Sequence, residues 1–94
     1  MQDDSFEWDN KKAAANARKH SVTFEMARDI FRDPFGINEL DERADYGEVR
    51  YVITGKVEGR LLFAAYTMRG ERIRIISARG AEPHEQRRYT EEDR

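Results

Sequence analysis

Arginine is the residue type with the most chemistry to offer in this chain, and it is concentrated. Between positions 60 and 88 lie Arg60, Arg69, Arg72, Arg74, Arg79, Arg87 and Arg88, with no lysine and only Glu71, Glu82 and Glu85 against them. That block carries +4, residues 1–59 carry −4 and the tail from Tyr89 carries −2, so the net charge of −2 hides a segregation. A guanidinium presents planar, bidentate donors that match a phosphate, whereas an ammonium is only a point charge. Two readings of the block stand open: a phosphate-facing groove, or a solvated face closed by intramolecular ion pairs. Other reactive groups are sparse. The chain has two histidines, His20 and His84, and no cysteine. Disulfides, thiolate zinc sites and cysteine nucleophiles are thereby removed together, and little is left to build a metal site. Asp41, Arg43 and Asp45 do not make a calcium loop, because a cation takes a required oxygen position. Ser77 has no base and orienting acid to make a triad.

The elements that must position these arginines can be read from period and punctuation. Phe6-Glu7-Trp8 alternates like a short first strand. Asp9 can cap a helix over Asn10–His20, with Trp8 and Ala13 spaced for a weak hydrophobic staple. Thr23 can cap a second helix, about Thr23–Arg32, whose buried face is Phe24, Ala27, Ile30 and Phe31. Asp33-Pro34 stops it, since the residue before proline is pushed out of the α region. Phe35–Leu40 reads as an edge strand and Asp41–Gly47 as a polar loop. Three strands follow, Glu48–Val57, Arg60–Thr67 and Glu71–Arg79, joined by turns at Glu58-Gly59 and Arg69-Gly70 that are short enough for hairpins. Arg60–Thr67 is apolar on both faces and is expected at the centre of the sheet. Pro83 suits the first turn of a last helix, about Glu82–Glu91. The order predicts one α+β domain over residues 1–94, with a mostly antiparallel sheet, two N-terminal helices on one face and a C-terminal helix.

Strict alternation along the last strand puts Ile73, Ile75, Ser77 and Arg79 on one face and Arg72, Arg74, Ile76 and Ala78 on the other. Arg74, between isoleucines, then needs a partner: a carboxylate such as Glu48, or a ligand phosphate. Only 18 of the 94 residues are Leu, Ile, Val or Phe, so the core is thin. The longest apolar run, Leu61–Tyr66, is far short of the roughly 20 residues that span a bilayer, and no charged stretch followed by an apolar one opens the chain. The expectation is a small, soluble, cytoplasmic protein with no membrane contact.

Several segments together resemble a known family. Phe6-Glu7-Trp8-Asp9, Asn16-Ala17-Arg18-Lys19-His20, Val22-Thr23-Phe24-Glu25 and Phe31-Arg32-Asp33-Pro34 follow in the order seen in BrnT-type toxins. So do Gly47-Glu48-Val49-Arg50, Tyr66-Thr67-Met68-Arg69-Gly70 and Ile73-Arg74-Ile75-Ile76-Ser77-Ala78-Arg79, the last being the most specific. The resemblance covers about residues 6–90. It implies a RelE-like fold and an endoribonuclease toxin of a type II toxin–antitoxin module that cleaves mRNA and inhibits translation. It also implies a partner, a BrnA-type ribbon-helix-helix antitoxin, with operator DNA engaged only through that antitoxin in a hetero-oligomer, and no cofactor. Two departures stand out. The K-H-G element of the family reads Lys19-His20-Ser21, and the usual A-R-K-A reads Ala78-Arg79-Gly80-Ala81.

Metal-independent RNA cleavage uses the RNA's own 2′-hydroxyl as nucleophile. The protein must help deprotonate it, stabilise the dianionic phosphorane and protonate the leaving 5′-oxygen. Arg79 and Arg69, at strand ends where a groove can open, are the expected phosphate stabilisers. Glu48 or His20 would be the base and protonated His20 the acid, with Lys19 a further catalytic candidate. Arg74, Arg72 and Arg50 would bind flanking phosphates, and Tyr66 would stack on a base. Each has a plainer alternative: a helix-end cap for His20, a salt bridge to Arg50 or Arg74 for Glu48, solvation for Lys19 and core packing for Tyr66. A non-catalytic RNA-binding module and a domain that only holds an acidic antitoxin are the rival functions.

Overall fold

Two tight connections set the sheet. Glu58 and Gly59 both take positive φ, 50° and 81°, the backbone of a two-residue hairpin whose twist matches its strands. They join β3 (Tyr51–Val57) to β4 (Arg60–Arg69), and a second hairpin joins β4 to β5 (Arg72–Gly80). In the computed structural model, which describes residues 1–92, β1 (Phe6–Glu7) and β2 (Ile37–Leu40) complete a five-stranded sheet ordered β1-β5-β4-β3-β2. Only β1 runs parallel to its neighbour, with Phe6 opposite Ile73 and Glu7 opposite Arg74. The doubly apolar β4 is central, flanked antiparallel by β3 and β5. The helices are α1 (Asn10–His20), α2 (Phe24–Ile30) and α3 (Pro83–Glu92). Asp9 caps α1 by accepting from the backbone N–H groups of Lys11 and Lys12, and Thr23 caps α2 by accepting from that of Met26. None of the described helices is long and apolar enough to cross a membrane.

Four elements are shorter than expected: β1 stops at Glu7 rather than Trp8 and β2 begins at Ile37 rather than Phe35, and α2 and β3 are also trimmed. The second helix ends at Ile30 rather than Arg32, with Phe31 and Arg32 closing 3₁₀-like bonds to Arg28 and Asp29. The third strand begins at Tyr51 rather than Glu48, and the segment before it is tied to β4 by the Thr67 hydroxyl, which donates to the Val49 carbonyl at 2.6 Å.

The sheet has two unlike faces. On one, Val22, Phe24, Ala27 and Ile30 pack on Ile53, Leu62, Ala64, Tyr66, Ile75 and Ala78. Close approach of α2 to β3 requires Gly55, where a Cβ would lie 2.8 Å from the Ile30 side chain. The other face, opposite α1 and α2 and open in that sense, carries a small cluster of Val52, Phe63 and Ala65, with Ile76 and Ala81 against it.

The faces expected for β5 are corrected by a β-bulge. The register runs Tyr66 to Ile75 and then Ala65 to Ser77, leaving Ile76 as an extra residue. Such an insertion shifts the phase of everything beyond it. Ala78 therefore joins Ile73 and Ile75 on the helix side, and Arg79 joins Arg74 and Ile76 on the open side. Asn16 locks this arrangement. From within the core, its Nδ2 donates to the carbonyls of Val22 and Ala78 at 2.9 and 2.8 Å, and its Oδ1 accepts from the Ala78 N–H at 3.1 Å.

Candidate nucleic-acid interface

The open face has two cationic ends, set by the register of β4 and β5. Arg79 lies opposite Phe63 at one end; Arg74 lies opposite Thr67, and Arg72 opposite Arg69, at the other.

At the Arg79 end two guanidiniums are anchored. Nη1 and Nη2 of Arg79 donate to the two carboxylate oxygens of Glu85 at 2.8 and 2.9 Å, and Nη1 also donates to the Gly80 carbonyl. The guanidinium lies against the Phe63 ring, 4.2 Å from its centroid. Glu85, on the first turn of α3, is buried, with 9% of its side chain exposed. Burial pushes its carboxyl up, but the hydrogen bonds from Arg79 and the Glu82 backbone, with the Arg79 charge, outweigh that and leave it below its ordinary value. Across the same ring stands Arg43, 5.7 Å from the centroid. Arg43 is held bidentately by Asp41 at 2.8 Å from both Nε and Nη2, and the Tyr46 hydroxyl donates to the same carboxylate. The Arg43 hydrogen bonds pull the Asp41 carboxyl down to about 2 against the opposing effect of burial.

At the other end the pairs around Glu48 are longer. Glu48 sits between Arg50 and Arg69, 3.4 Å from each, with 53% of the Arg69 side chain exposed. Arg50 also stacks on the Tyr46 ring at 4.1 Å. Arg74 finds its carboxylate in Glu7, at 2.6 Å on the neighbouring strand, not in Glu48. Arg72 donates to the Asp3 carbonyl at 2.7 Å. Tyr46 thus links the two ends, its hydroxyl on Asp41 and its ring under Arg50.

The structure brings together Arg50, Glu48 and Arg69, with Arg72 and Arg74 beside them and Arg79 further along the same face. It does not bring His20 and Lys19 to that face. Both lie at the end of α1, which packs on β5 from the helix side. Tyr66 shows the packing role. Its ring is stacked on Tyr51 at 5.5 Å and edge-on to Phe31 at 5.0 Å, its hydroxyl donates to Asn38, and burial pushes that hydroxyl's pKa up. The sequence reading missed Arg43, Asp41 and Glu85. The Asp41–Gly47 stretch has a loop's composition, and nothing local says that its arginine folds back over Phe63.

Among the described residues one group could gather around a cation: Glu82, His84 and Glu85 place ligand atoms within 4.8 Å of one another. Both Glu85 oxygens already serve Arg79, so a metal ion there would compete with a guanidinium.

Comparison with protein families matches residues 8–85 to the ribonuclease toxin BrnT of type II toxin–antitoxin systems. The chain belongs to the BrnT family. Comparison with curated proteins gives no match. The match spans both ends of the open face and stops at Glu85, the residue that clamps Arg79. Gly80 lies close to a further cation: a Cβ at position 80 would lie 3.3 Å from the guanidinium of Arg60, on the adjacent strand.

Proposed function

We propose that this BrnT-family chain is an endoribonuclease that cuts mRNA and thereby inhibits translation, and that a BrnA-type antitoxin neutralises it by covering the open face. The observation that carries the reading is the Arg50–Glu48–Arg69 cluster. It sets one carboxylate between two guanidiniums at a rim that solvent reaches, with Arg72 and Arg74 adjacent. RNA phosphates compete well for these cations, because exposed ion pairs contribute only about 0–1 kcal/mol and are easily exchanged. A phosphodiester bound by Arg50 and Arg69 displaces them from Glu48 and leaves that carboxylate beside the 2′-hydroxyl it must deprotonate. The two guanidiniums then offset the negative charge that grows on the phosphorane oxygens.

Arg79 makes no phosphate contact in this proposal: Glu85 takes up its guanidinium, and the pair shapes the far end of the face. His20 and Lys19 keep the roles of acid and accessory cation only if RNA reaches around the β5 side of the sheet.

The test is cleavage of unstructured RNA by the purified chain beside Glu48→Gln. Glu48→Gln keeps the side chain's shape, so the expected result is cleavage by wild type, unchanged folding of the variant, and loss of cleavage with RNA binding retained. Full cleavage by Glu48→Gln rejects the assigned base, and absence of cleavage by wild type, on free RNA and on translating ribosomes alike, rejects the enzyme. The antitoxin part is read by titrating RNA bound to Glu48→Gln with the antitoxin. Mutual loss of affinity supports a covered face, and simultaneous binding rejects it.

A further inference from the structure

The Arg79 end of the open face contains a recess whose chemistry the cleavage proposal does not use. It is a cavity of about 360 Å³ with Val52 and Phe63 in its apolar lining, within the size range of pockets that take small molecules. The guanidiniums of Arg43 and Arg79 flank the Phe63 ring. Both are immobilised by carboxylates that are almost wholly buried, 1% exposed for the Asp41 side chain and 9% for Glu85. Glu82 differs. More than half of its side chain is exposed, and its contact with Arg79 is a long one of 3.5 Å.

The charge of the recess selects its ligand. Its lining has three arginines against five carboxylates, so a bare phosphate is repelled here although the opposite end of the face attracts it. A second cation would have to sit among guanidiniums that are fixed in place. A flat, neutral group with an N–H edge meets neither obstacle. Its faces stack on guanidinium planes, as bases do in single-stranded RNA complexes, its body covers apolar lining, and its edge reaches the carboxylate that has capacity left.

We propose that this recess is a nucleobase subsite selective for guanine, with Glu82 as the reading group. Guanine presents two N–H donors side by side on its Watson–Crick edge, which match both oxygens of one carboxylate. Adenine and cytosine set a donor next to an acceptor, and uracil sets one donor between two acceptors, so each turns a lone pair towards Glu82. The inference rests on the ribonuclease reading for the presence of RNA, and it adds a sequence preference to that reading.

The test uses short RNA oligonucleotides blocked as 2′-O-methyl ethers, which cannot be cleaved because the nucleophile is capped. Four such oligonucleotides, differing at one base, are titrated against the wild-type chain and Glu82→Gln. The guanine version should bind about tenfold to a hundredfold more tightly than the others, the range expected for hydrogen bonds to a charged acceptor. Glu82→Gln should erase most of that preference and leave a base-independent affinity, with unchanged thermal unfolding. Equal affinity for all four, or a guanine preference that survives Glu82→Gln, overturns the subsite. So does argininamide shifting the amide resonances of Glu82, His84 and Glu85 when guanosine does not. If no oligonucleotide binds, the subsite falls. Cleavage of the corresponding 2′-hydroxyl RNA, run in parallel, shows whether the ribonuclease reading falls with it.

Discussion

The two ends of the open face use the same side chain in opposite ways. At one end Arg79 and Arg43 are each gripped by a buried carboxylate and pressed on an aromatic ring. At the other, Arg50 and Arg69 share a single, partly exposed glutamate at the longer distance of 3.4 Å, and more than half of the Arg69 side chain is exposed. A guanidinium in a buried pair is part of the architecture, because removing it strands a charge. A guanidinium in a loose pair costs little to redirect and is available to a ligand. Arginine content alone says nothing about which is which; the burial of the partner carboxylate does.

Four measurements can break or sharpen that contrast. The largest effect is expected at the loose end. Arg69→Ala should reduce RNA cleavage by about 10²–10³-fold, the usual loss when one donor to a developing oxyanion is removed, and leave the unfolding midpoint in urea nearly unchanged. A comparable loss of stability would erase the distinction. Arg79→Ala should do the reverse first. It leaves Glu85 buried without its partner, and urea titration should show a loss of roughly 2–4 kcal/mol, partly recovered by adding Glu85→Gln. An Arg79→Ala chain as stable as wild type would place Arg79 with the loose group.

Acid should discriminate the two ends next. The Asp41 carboxyl is held at about 2 in the fold against an ordinary value of 3.8. A depressed carboxylate stabilises the fold fully above its unfolded pKa and loses that contribution as pH falls through the folded one. The anchored end should therefore weaken between about pH 4 and pH 2, by on the order of 1–2 kcal/mol after solvent screening. Asp41→Asn should flatten that part of the stability–pH curve. The smallest effect belongs to Glu48. Raising salt should remove only a few tenths of a kcal/mol of stability through its exposed pairs, measured as the difference between wild type and Glu48→Gln at low and high ionic strength.

Much of this architecture is legible before any coordinates. The run of Arg60–Thr67, apolar on both sides, could only be a central strand. Asp9 and Thr23 mark helix starts because their side chains are the natural acceptors for orphan N–H groups. What escapes is phase and long-range pairing. Alternation is a rule of two, and one extra residue at Ile76 reverses it, so Arg79 lies on the face opposite Ile75. Arg74 needed a partner on any reading, a carboxylate or a phosphate, but the choice of Glu7 depends on β1 adding in parallel beside β5. The anchors of Arg79 and Arg43 are six and two residues away in sequence. They become visible only when α3 and the Asp41–Gly47 loop close over Phe63. The hub made by Asp33, which accepts from the backbone N–H of Lys56 and the hydroxyl of Tyr89, looked from the sequence like no more than a helix stop.

Ser21 bears on how much of the protein a cell holds. It ends α1 with φ of 56°, a left-handed conformation that costs a side-chain-bearing residue about 1–2 kcal/mol and glycine almost nothing. Glycine is the residue that usually ends a helix in this conformation. In a marginally stable chain, a shift of about 1–2 kcal/mol in the folding equilibrium changes steady-state abundance several-fold, through the proteases that remove unfolded molecules. At equal synthesis, a Ser21→Gly chain should accordingly accumulate to a higher level with every group of the open face unaltered, measured as the steady-state amount of protein.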